Sequence, residues 1–288
     1  YIKQELKKYK AAYYLETAMG IYDILDNNLD VRNIIARATL AAKQCKGQYM
    51  IHEARYTEEL RAKIIREQNI INEMEHALET GEFVVYFQPK YELDHCRPSG
   101  AEALVRWKSP DQGFLSPGEF IPLFEKNRFI VKLDQFMFTS VCGLLRQWLD
   151  AGIEPRPLSV NVSRMQFHTP DFVERYIRIK SQYAIPDGLL ELEFTESIFF
   201  DNVALLSSAV HELRRAGIKC SIDDFGAGYS SLNVLKALPV SVLKLDGMFF
   251  RTAKDDEQAK IVIRNIMRMA GELKMATVAE GVETHEQV

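Results

Sequence analysis

The feature that most constrains the fold is a regular alternation that begins at residue 82. From there onward, short apolar runs of strand length alternate with segments whose apolar residues have helical spacing. The seven runs read FVVYFQP, GAEALVRW, PLSVNVS, LLELEFTE, IKCSIDDF, VSVLKLD and ATVAEG. They are too apolar to expose one face to water, which predicts a mainly parallel sheet covered by helices. Two architectures satisfy this pattern, an open doubly wound sheet and a (β/α)₈ barrel.

Polar residues at the ends of these runs favour the barrel. They are Glu102, Arg106, Asn161, Glu196, Asp223, Asp224, Lys244, Asp246 and Glu280. A parallel barrel gathers the C-terminal ends of its strands into one mouth, where barrel enzymes place their catalytic groups. Any one of these residues could be a helix cap or a solvated loop residue, but capping alone does not explain their recurrence on six strands. We therefore predict an α/β fold of the (β/α)₈ TIM-like barrel type.

Besides Asp246, these residues include five carboxylates that the barrel would bring together in its mouth: Glu102, Glu196, Asp223, Asp224 and Glu280. Like charges so close raise one another's pKa or require counter-ions. Two divalent cations together with Lys244 would balance the five negative charges. Oxygen ligands with one amide, Asn161, favour Mg²⁺ or Mn²⁺ over zinc. The adjacent Asp223 and Asp224 would let one carboxylate bridge two metals, which is an arrangement suited to phosphoryl displacement.

Composition argues against several other classes of function. The formal net charge of −4 gives no basic footprint for nucleic acid, and no apolar run approaches the roughly 18 residues of a membrane span. The cysteines are scattered without metal or disulfide spacing, which predicts reduced thiols. We expect a cytoplasmic protein, or the cytoplasmic part of a larger, membrane-anchored one, with no membrane contact in this portion.

The first 81 residues precede the alternation and are predicted to be organised separately. Residues 1–53 contain Ile34, Ile35, Ala38 and Ala41 at helical spacing, and we expect a small α/β fragment that is too short for a full domain. Residues 54–81 have the pattern of an amphipathic connecting helix that ends at Gly81. The barrel would then occupy residues 82–288.

Six motifs in this order resemble those of a known family. They are EALVRW from Glu102, SVNVS, EFTES, DDFGAGYSSL, LKLD and AEGVET, each on its expected strand–helix unit. Together they are similar to the EAL domain, the cyclic-di-GMP-specific phosphodiesterase, over about residues 82–288. The resemblance implies a (β/α)₈-type barrel with one irregular strand. It also implies a hydrolysis that opens the cyclic dinucleotide to linear pGpG in second-messenger signalling.

The resemblance assigns roles to particular residues. The first metal would be bound by Glu102, Asn161, Glu196 and Asp223, and the second by Asp223, Asp224 and Glu280. Lys244 would orient or help to activate the attacking water, and Glu283 would support Lys244 and the nearby loop. The substrate would contact Gln88, Leu104 and Arg106, whose guanidinium can bind phosphate bidentately. The glycines Gly226 and Gly228 would let their loop pass close to metals and substrate, unless this is an ordinary flexible loop.

A second, partial resemblance concerns residues 1–53. The segments TAMGIYDI and ATLAAKQCKG resemble the C-terminal part of a GGDEF domain, without its signature loop, so the resemblance implies no cyclase activity. The EAL pattern itself shows three departures: Ser241 replaces a usual aspartate, Ala227 replaces threonine, and the last strand is absent from this sequence. We expect the third departure to leave the barrel open and to lower activity.

The sequence alone leaves open two alternative functions and the question of whether the protein forms a homodimer. A cyclic-di-GMP receptor would keep the pocket without hydrolysis, although degenerate members of the family lack metal ligands that are present here. A barrel glycosidase would need two acids and surrounding aromatics rather than five acids, an amide and a lysine. EAL domains are similar to one another in pairing near the DDFG loop, so a homodimer is expected. The helically spaced Leu232, Leu235 and Leu238 after that loop would serve either the dimer or barrel packing.

Overall fold

The computed structural model describes residues 18–24, 29–45, 53–196, 198, 203–226, 235, 239–252, 256–284 and 287 of the 288-residue chain. The chain divides into two compact units, residues 1–73 and residues 74–288. Among the helices in the described ranges, none is both long enough and apolar enough to cross a membrane.

The first unit contains a small parallel strand pair and a helix. Strand β1 (Met19–Ile21) pairs with β2 (Glu53–Arg55), and helix α1 (Val31–Cys45) lies between them in the sequence. A Cβ atom at Gly20 would lie 1.8 Å from the Ala38 carbonyl oxygen. Only glycine therefore lets β1 approach α1 this closely.

The connecting helix predicted over residues 54–81 is α2 (Glu58–Thr80). Its predicted start was wrong by four residues, because residues 53–55 pair with β1 instead. The Thr57 side chain accepts the N–H of Leu60 and so caps the first turn. At the other end, Gly81 adopts φ +78°, a left-handed conformation that ends the helix as predicted.

The second unit is built on one sheet. Its strands are β3 (Phe83–Glu92), β4 (Arg97–Ser109), β5 (Gly113–Leu115), β6 (Leu158–Asn161), β7 (Leu190–Thr195), β8 (Lys219–Phe225), β9 (Val242–Leu245) and β10 (Ala276–Ala279). Their spatial order is β3-β4-β6-β7-β8-β9-β10, with β5 attached to β4. All neighbours from β4 to β10 along this path are parallel. Each of the seven predicted runs forms one of these strands.

Strand β3 runs antiparallel to β4. Only residues 93–96 connect the two strands, and so short a connection cannot cross over to make a parallel pair. Cys96 takes φ +48° in this turn. The hairpin therefore places an antiparallel strand at the edge of the parallel path from β4 to β10, and the short β5 also pairs antiparallel with β4.

Helices cover one face of the sheet. They are α3 (Pro117–Asn127), α4 (Ile130–Asp150), α5 (Phe172–Gln182), α6 (Val203–Arg215), α7 (Met248–Thr252) and α8 (Glu257–Glu272), with a 3₁₀ turn at Arg164–His168. In the core, Leu192 and Leu243 of the sheet belong to one buried cluster with Phe138 and Tyr176 of α4 and α5. Because side chains alternate along a strand, Glu193 and Lys244 project from the opposite face.

The sheet is curled rather than flat. Lys244 on β9 lies 3.1 Å from Glu102 on β4, although β8, β7 and β6 separate their strands. In a flat sheet, four steps of roughly 4.8 Å would hold these strands roughly 19 Å apart. The contact therefore requires the sheet to close on itself, which confirms the predicted TIM-like architecture.

Candidate active site

A buried lysine lies at the centre of the curled sheet. Lys244 is 1% exposed. Its Nζ lies 2.6 Å from Glu193 Oε2, 2.7 Å from Glu280 Oε1, 2.9 Å from Asp223 Oδ1 and 3.1 Å from Glu102 Oε2. The structure thus gathers carboxylates from β4, β7, β8 and the residue after β10 around one ammonium group.

The surrounding carboxylates keep Lys244 protonated. Burial alone would lower the pKa of Lys244, but the negative charges of Glu193, Asp223, Glu102 and Glu280 outweigh it and raise the pKa well above the ordinary lysine value. A raised pKa in the folded state means that the ammonium form stabilises the fold throughout neutral pH. Among these carboxylates Nζ is therefore a positive charge and a hydrogen-bond donor.

The carboxylates form two triads that share one member. Glu102, Glu193 and Asp223 each place an oxygen within 4.8 Å of the others, and so do Asp223, Asp224 and Glu280. We call these the first and second triads. Asp224 adopts φ +53°, and its backbone N–H donates to Asp223 Oδ1 at 2.9 Å. Asp223 consequently has the position that a ligand shared by two cations would need.

Crowding raises the pKa of three of these acids. Burial raises the pKa of Glu102, and the charge of Glu193 raises it further. Burial also raises the pKa of Asp224, with added repulsion from Asp223 and Asp246. The pKa of Glu280 is raised by its burial, against the opposing effect of Lys244. Positive charge added at this centre would relieve these shifts, because it favours the ionised carboxylates.

Glu193 is the site residue that the sequence analysis missed. It lies within β7, where Lys244 holds Oε2 and Lys90 Nζ lies 2.8 Å from Oε1. Burial would raise the pKa of Glu193, but Lys244 and Lys90 lower it. The available signal was the segment LELEF, in which Glu191 and Glu193 interrupt an apolar strand at the spacing of one face.

Glu196, predicted as a ligand of the first metal, belongs to neither triad of the described residues. It follows Thr195, the last residue of β7, and so lies beyond the strand that aims Glu193 at the centre. Glu196 Oε2 accepts the backbone N–H of Gly226 at 3.2 Å. The structure therefore links Glu196 to the loop after β8.

The predicted loop residues are only partly within the described chain. Gly226 adopts φ +97°, and a Cβ atom there would lie 2.1 Å from the Phe249 ring, so this position requires glycine. Gly228, Ala227, Leu232 and Leu238 lie outside the described residues. Leu235 is buried in the core.

The amide Asn161 lies beside the first triad. Its Nδ2 donates to Glu102 Oε1 at 2.7 Å. Asp246, another predicted strand-end residue, instead accepts the N–H of Met248 at 2.7 Å and caps the start of α7. Glu283 is exposed, and its backbone N–H donates to Gln287 Oε1 at 2.8 Å.

A cavity of about 1570 Å³ opens over this centre. Its lining includes the three predicted substrate contacts, Gln88, Leu104 and Arg106. Glu102, Leu104 and Arg106 alternate along β4 and so share one face, and Gln88 on β3 pairs with Glu102. The register of two strands therefore continues the acidic centre into a wall that carries Arg106 on β4 and Lys90 on β3. Arg106 Nη1 donates to the carbonyl oxygen of Val105 at 2.8 Å.

The donor set of the two triads fits hard divalent cations. Every donor in the triads is a carboxylate oxygen, and the neighbouring Asn161 adds an amide. Neither triad contains a thiolate or an imidazole. Carboxylate and amide oxygens are the ligands that Mg²⁺, Mn²⁺ and Ca²⁺ prefer, whereas zinc sites use nitrogen and sulfur.

The fold and the site together define a TIM-like barrel protein with an acidic centre suited to cations. The chain belongs to the EAL-domain family, whose model matches residues 71–288. It is 33% identical over 269 residues, 93% of its own length and 46% of the relative's, to a cyclic di-GMP phosphodiesterase of Pseudomonas aeruginosa.

Two further matches concern one protein of the same bacterium. The chain is 34% identical over 218 residues, 76% of its length and 32% of the relative's, to MucR, a bifunctional diguanylate cyclase/cyclic di-GMP phosphodiesterase. A solved structure of the MucR phosphodiesterase in complex with c-di-GMP matches with a TM-score of 0.71 and 35% identity. That match covers 76% of this chain and 89% of the other. The chain spans less than half the length of these curated relatives.

Proposed function

We propose that this chain hydrolyses cyclic di-GMP to linear pGpG with the help of divalent cations. The observation that carries the proposal is the ammonium of Lys244 between two carboxylate triads that share Asp223. Membership of the EAL-domain family supports this reading, and relatives named as cyclic di-GMP phosphodiesterases indicate the substrate. Because those relatives are longer, the activity of the whole protein is part of the proposal.

Two cations, Mg²⁺ or Mn²⁺, are proposed at the triads. The first triad would hold one cation, with Asn161 beside it, and the second triad would hold the other. A pair of bound divalent cations stabilises the attacking and leaving oxygens of a phosphoryl displacement. Within this arrangement Glu193 takes the place first given to Glu196, which would instead hold the loop of Gly226 close to the site.

Lys244 would act through its charge. The family resemblance offers two roles, orienting the attacking water and helping to activate it. We favour the first role, because Nζ lies within hydrogen-bonding distance of carboxylates from both triads and so faces the place where the cations and the water would lie. Nζ would orient the water and stabilise negative charge that develops on the phosphate oxygens, while proton removal falls to another group.

The substrate would lie along the wall formed by β3 and β4. Arg106 would pair with a phosphate, for which a guanidinium offers two parallel donors. Leu104 would give apolar contact and Gln88 polar contact. Glu102, Leu104 and Arg106 alternate along β4. The guanidinium of Arg106 would therefore bind phosphate two residues beyond Leu104 and four residues beyond Glu102 of the first triad.

The decisive experiment is hydrolysis of cyclic di-GMP by the purified protein, with products separated by chromatography. We expect pGpG with Mg²⁺ or Mn²⁺ and no product with EDTA. Lys244→Ala should lower kcat far more than it changes KM, because Nζ acts mainly on developing charge. Lys260→Ala, at a half-buried lysine on α8 that pairs with Glu257, is the matched control and should leave both unchanged.

Other outcomes have defined meanings. Binding of cyclic di-GMP without turnover would favour the receptor function. If the full-length protein showed no binding of cyclic di-GMP and no turnover, the proposal would be refuted. Turnover near the wild-type level in Lys244→Ala would refute the role given to this lysine.

The proposal extends to organisation and assembly. Residues 1–53 would be the C-terminal part of a GGDEF domain, residues 54–81 a connecting helix and residues 82–288 the EAL domain of a cytoplasmic protein. A homodimer is proposed from the family resemblance, while the buried Leu235 fits barrel packing better than pairing. Light scattering should find the dimer, and activity per chain should rise as monomers pair. A monomer of constant specific activity at every concentration would rule it out.

A further inference from the structure

One glutamine ties the loop after β10 to helix α7. Gln287 Oε1 accepts the backbone N–H of Glu283 at 2.8 Å and that of Thr284 at 3.0 Å. Its Nε2 donates to the carbonyl oxygen of Phe250 at 3.3 Å. All three partners are backbone groups, so the contact fixes the path of the loop rather than the position of one side chain.

Helix α7 also packs against the loop after β8. The ring of Phe249 occupies the space where Gly226 has no side chain, so that a Cβ there would lie 2.1 Å from the ring. Phe250 belongs to the same five-residue helix, whose final carbonyl groups need partners from outside the helix. The Gln287 amide supplies one such partner, to the carbonyl group of Phe250. Helix α7 therefore contacts the loop that follows Asp224 and, through Gln287, the loop that follows Glu280.

Glu280 depends on its loop more than the other acids do. Glu102, Glu193 and Asp223 lie within strands, whereas Glu280 follows the last residue of β10 and is tied to β9 by the hydrogen bond from its N–H to the carbonyl oxygen of Leu245 at 3.0 Å. The chain then turns at Gly281, with φ +62° and a Cβ position only 3.1 Å from the Cα of Gly247. After this turn, Gln287 is the side chain that holds the described backbone at residues 283 and 284.

We propose that Gln287 is a positioning residue that keeps Glu280 in register with Asp223 and Asp224. The inference rests on the proposed hydrolysis, for which the second triad must hold its shape. Gln287 does not touch the triad. It acts through the backbone of the loop, so its loss should loosen Glu280 while the strands and their carboxylates stay in place.

Two substitutions in the full-length protein separate the hydrogen bonds that Gln287 accepts from the one that it donates. Gln287→Leu removes the acceptor and the donor. Gln287→Glu keeps an acceptor for the two N–H groups but cannot donate to Phe250. Gln258→Leu, at an exposed glutamine near the start of α8, is the matched control. The measurements are kcat and KM for cyclic di-GMP, and the shift in Tm caused by Mg²⁺ or Mn²⁺.

We expect Gln287→Leu to lower kcat roughly ten- to a hundredfold, since small misplacements of site groups cost this much. It should also reduce the metal-induced Tm shift, and Gln287→Glu should fall between it and the wild type. Wild-type kcat, KM and Tm shift in Gln287→Leu would overturn the proposal, as would an equal loss in Gln258→Leu. If the wild-type protein hydrolyses nothing, the proposed function fails by itself. The Tm shift then decides on Gln287, because a smaller shift in Gln287→Leu supports its role and an equal shift overturns it.

Discussion

Lys90 and Lys244 hold the two oxygens of a single buried carboxylate, that of Glu193. Lys90 also lies 2.8 Å from the hydroxyl of Ser159, so it is fixed from β6 as well. An isolated charge as deeply buried as Glu193 would cost several kcal/mol, and paired cations offset that cost only in good geometry. Here the pairing leaves Glu193 ionised, with Oε2 directed at the centre. A ligand already held in place loses little conformational freedom when a cation binds.

This geometry leads to a prediction that separates Glu193 from Glu196. Glu193→Gln keeps the side-chain volume but removes a negative charge from the first triad, so the Tm shift caused by Mg²⁺ should largely disappear. Glu196→Gln should keep most of that shift, because Glu196 is a member of neither triad and accepts the N–H of Gly226 in the loop after β8. Binding at a hundredfold excess over Kd stabilises a protein by about 2.7 kcal/mol, which scanning fluorimetry detects readily.

The control for this pair is Glu257→Gln, an exposed acid on α8, which should leave the metal-induced shift unchanged. The reverse result, with the shift lost in Glu196→Gln and kept in Glu193→Gln, would favour the ligand set that the family resemblance implies.

At the scale of elements, helix α4 holds the turn that follows β6. Asp134 Oδ2 accepts the backbone N–H of Ser163 at 2.9 Å and the side-chain amide of Gln166 at 3.2 Å. The hydroxyl of Ser163 donates to Glu125 Oε1 at 2.9 Å. The turn begins just after Asn161, so one buried acid on a helix fixes the end of a strand that borders the first triad.

Asp134 should give the protein a distinctive pH dependence. Burial raises the pKa of Asp134 to about 7, above its ordinary value of 3.8, and the charge of Glu125 adds to the shift. Between these two values the folded state binds a proton that the unfolded state releases. The stabilising contribution is therefore full at low pH and is lost as the pH rises through 7, at a slope of up to about 1.4 kcal/mol per unit.

The test is urea unfolding of the wild type and Asp134→Asn between pH 4 and 8. The asparagine oxygen can accept the same hydrogen bonds but does not titrate, so the free energy of unfolding should fall less with pH in the variant. Parallel profiles for the two proteins would show that Asp134 does not titrate in this range.

The elements also show which parts of the fold and site were accessible from the sequence. The apolar runs predicted all seven main strands, because a strand buried on both faces leaves a strong signal. The antiparallel direction of β3 follows from the four-residue connection between β3 and β4, which is too short for a crossover. Strand-end polarity pointed to Asp223 and Glu280, which the structure places in the triads, and to Glu196, which lies outside them, but it passed over Glu193. Whether an acid inside an apolar strand is tolerated depends on distant partners, here Lys90 and Lys244, which only the curled sheet brings near.

At the scale of the whole molecule, the proposed cation site belongs to one of the two compact units. Both triads and Lys244 lie within residues 74–288. The described part of the first unit consists of two three-residue strands, a helix and the start of α2. So small a unit buries little apolar surface, and a small core gives low stability.

Calorimetry of this chain should therefore show two unfolding transitions with different responses to metal. A cation that binds only the folded second unit stabilises that unit and no other. At a hundredfold excess over Kd, Mg²⁺ or Mn²⁺ should raise the later transition by roughly 5–10 °C, given the size of the unit, and EDTA should reverse the change. The earlier transition should not move. In Glu193→Gln neither transition should respond to metal, because the first triad has lost a ligand. A single transition that shifts as a whole with metal would show that the two units unfold together, and an earlier transition that moves with metal would place cation binding outside the triads.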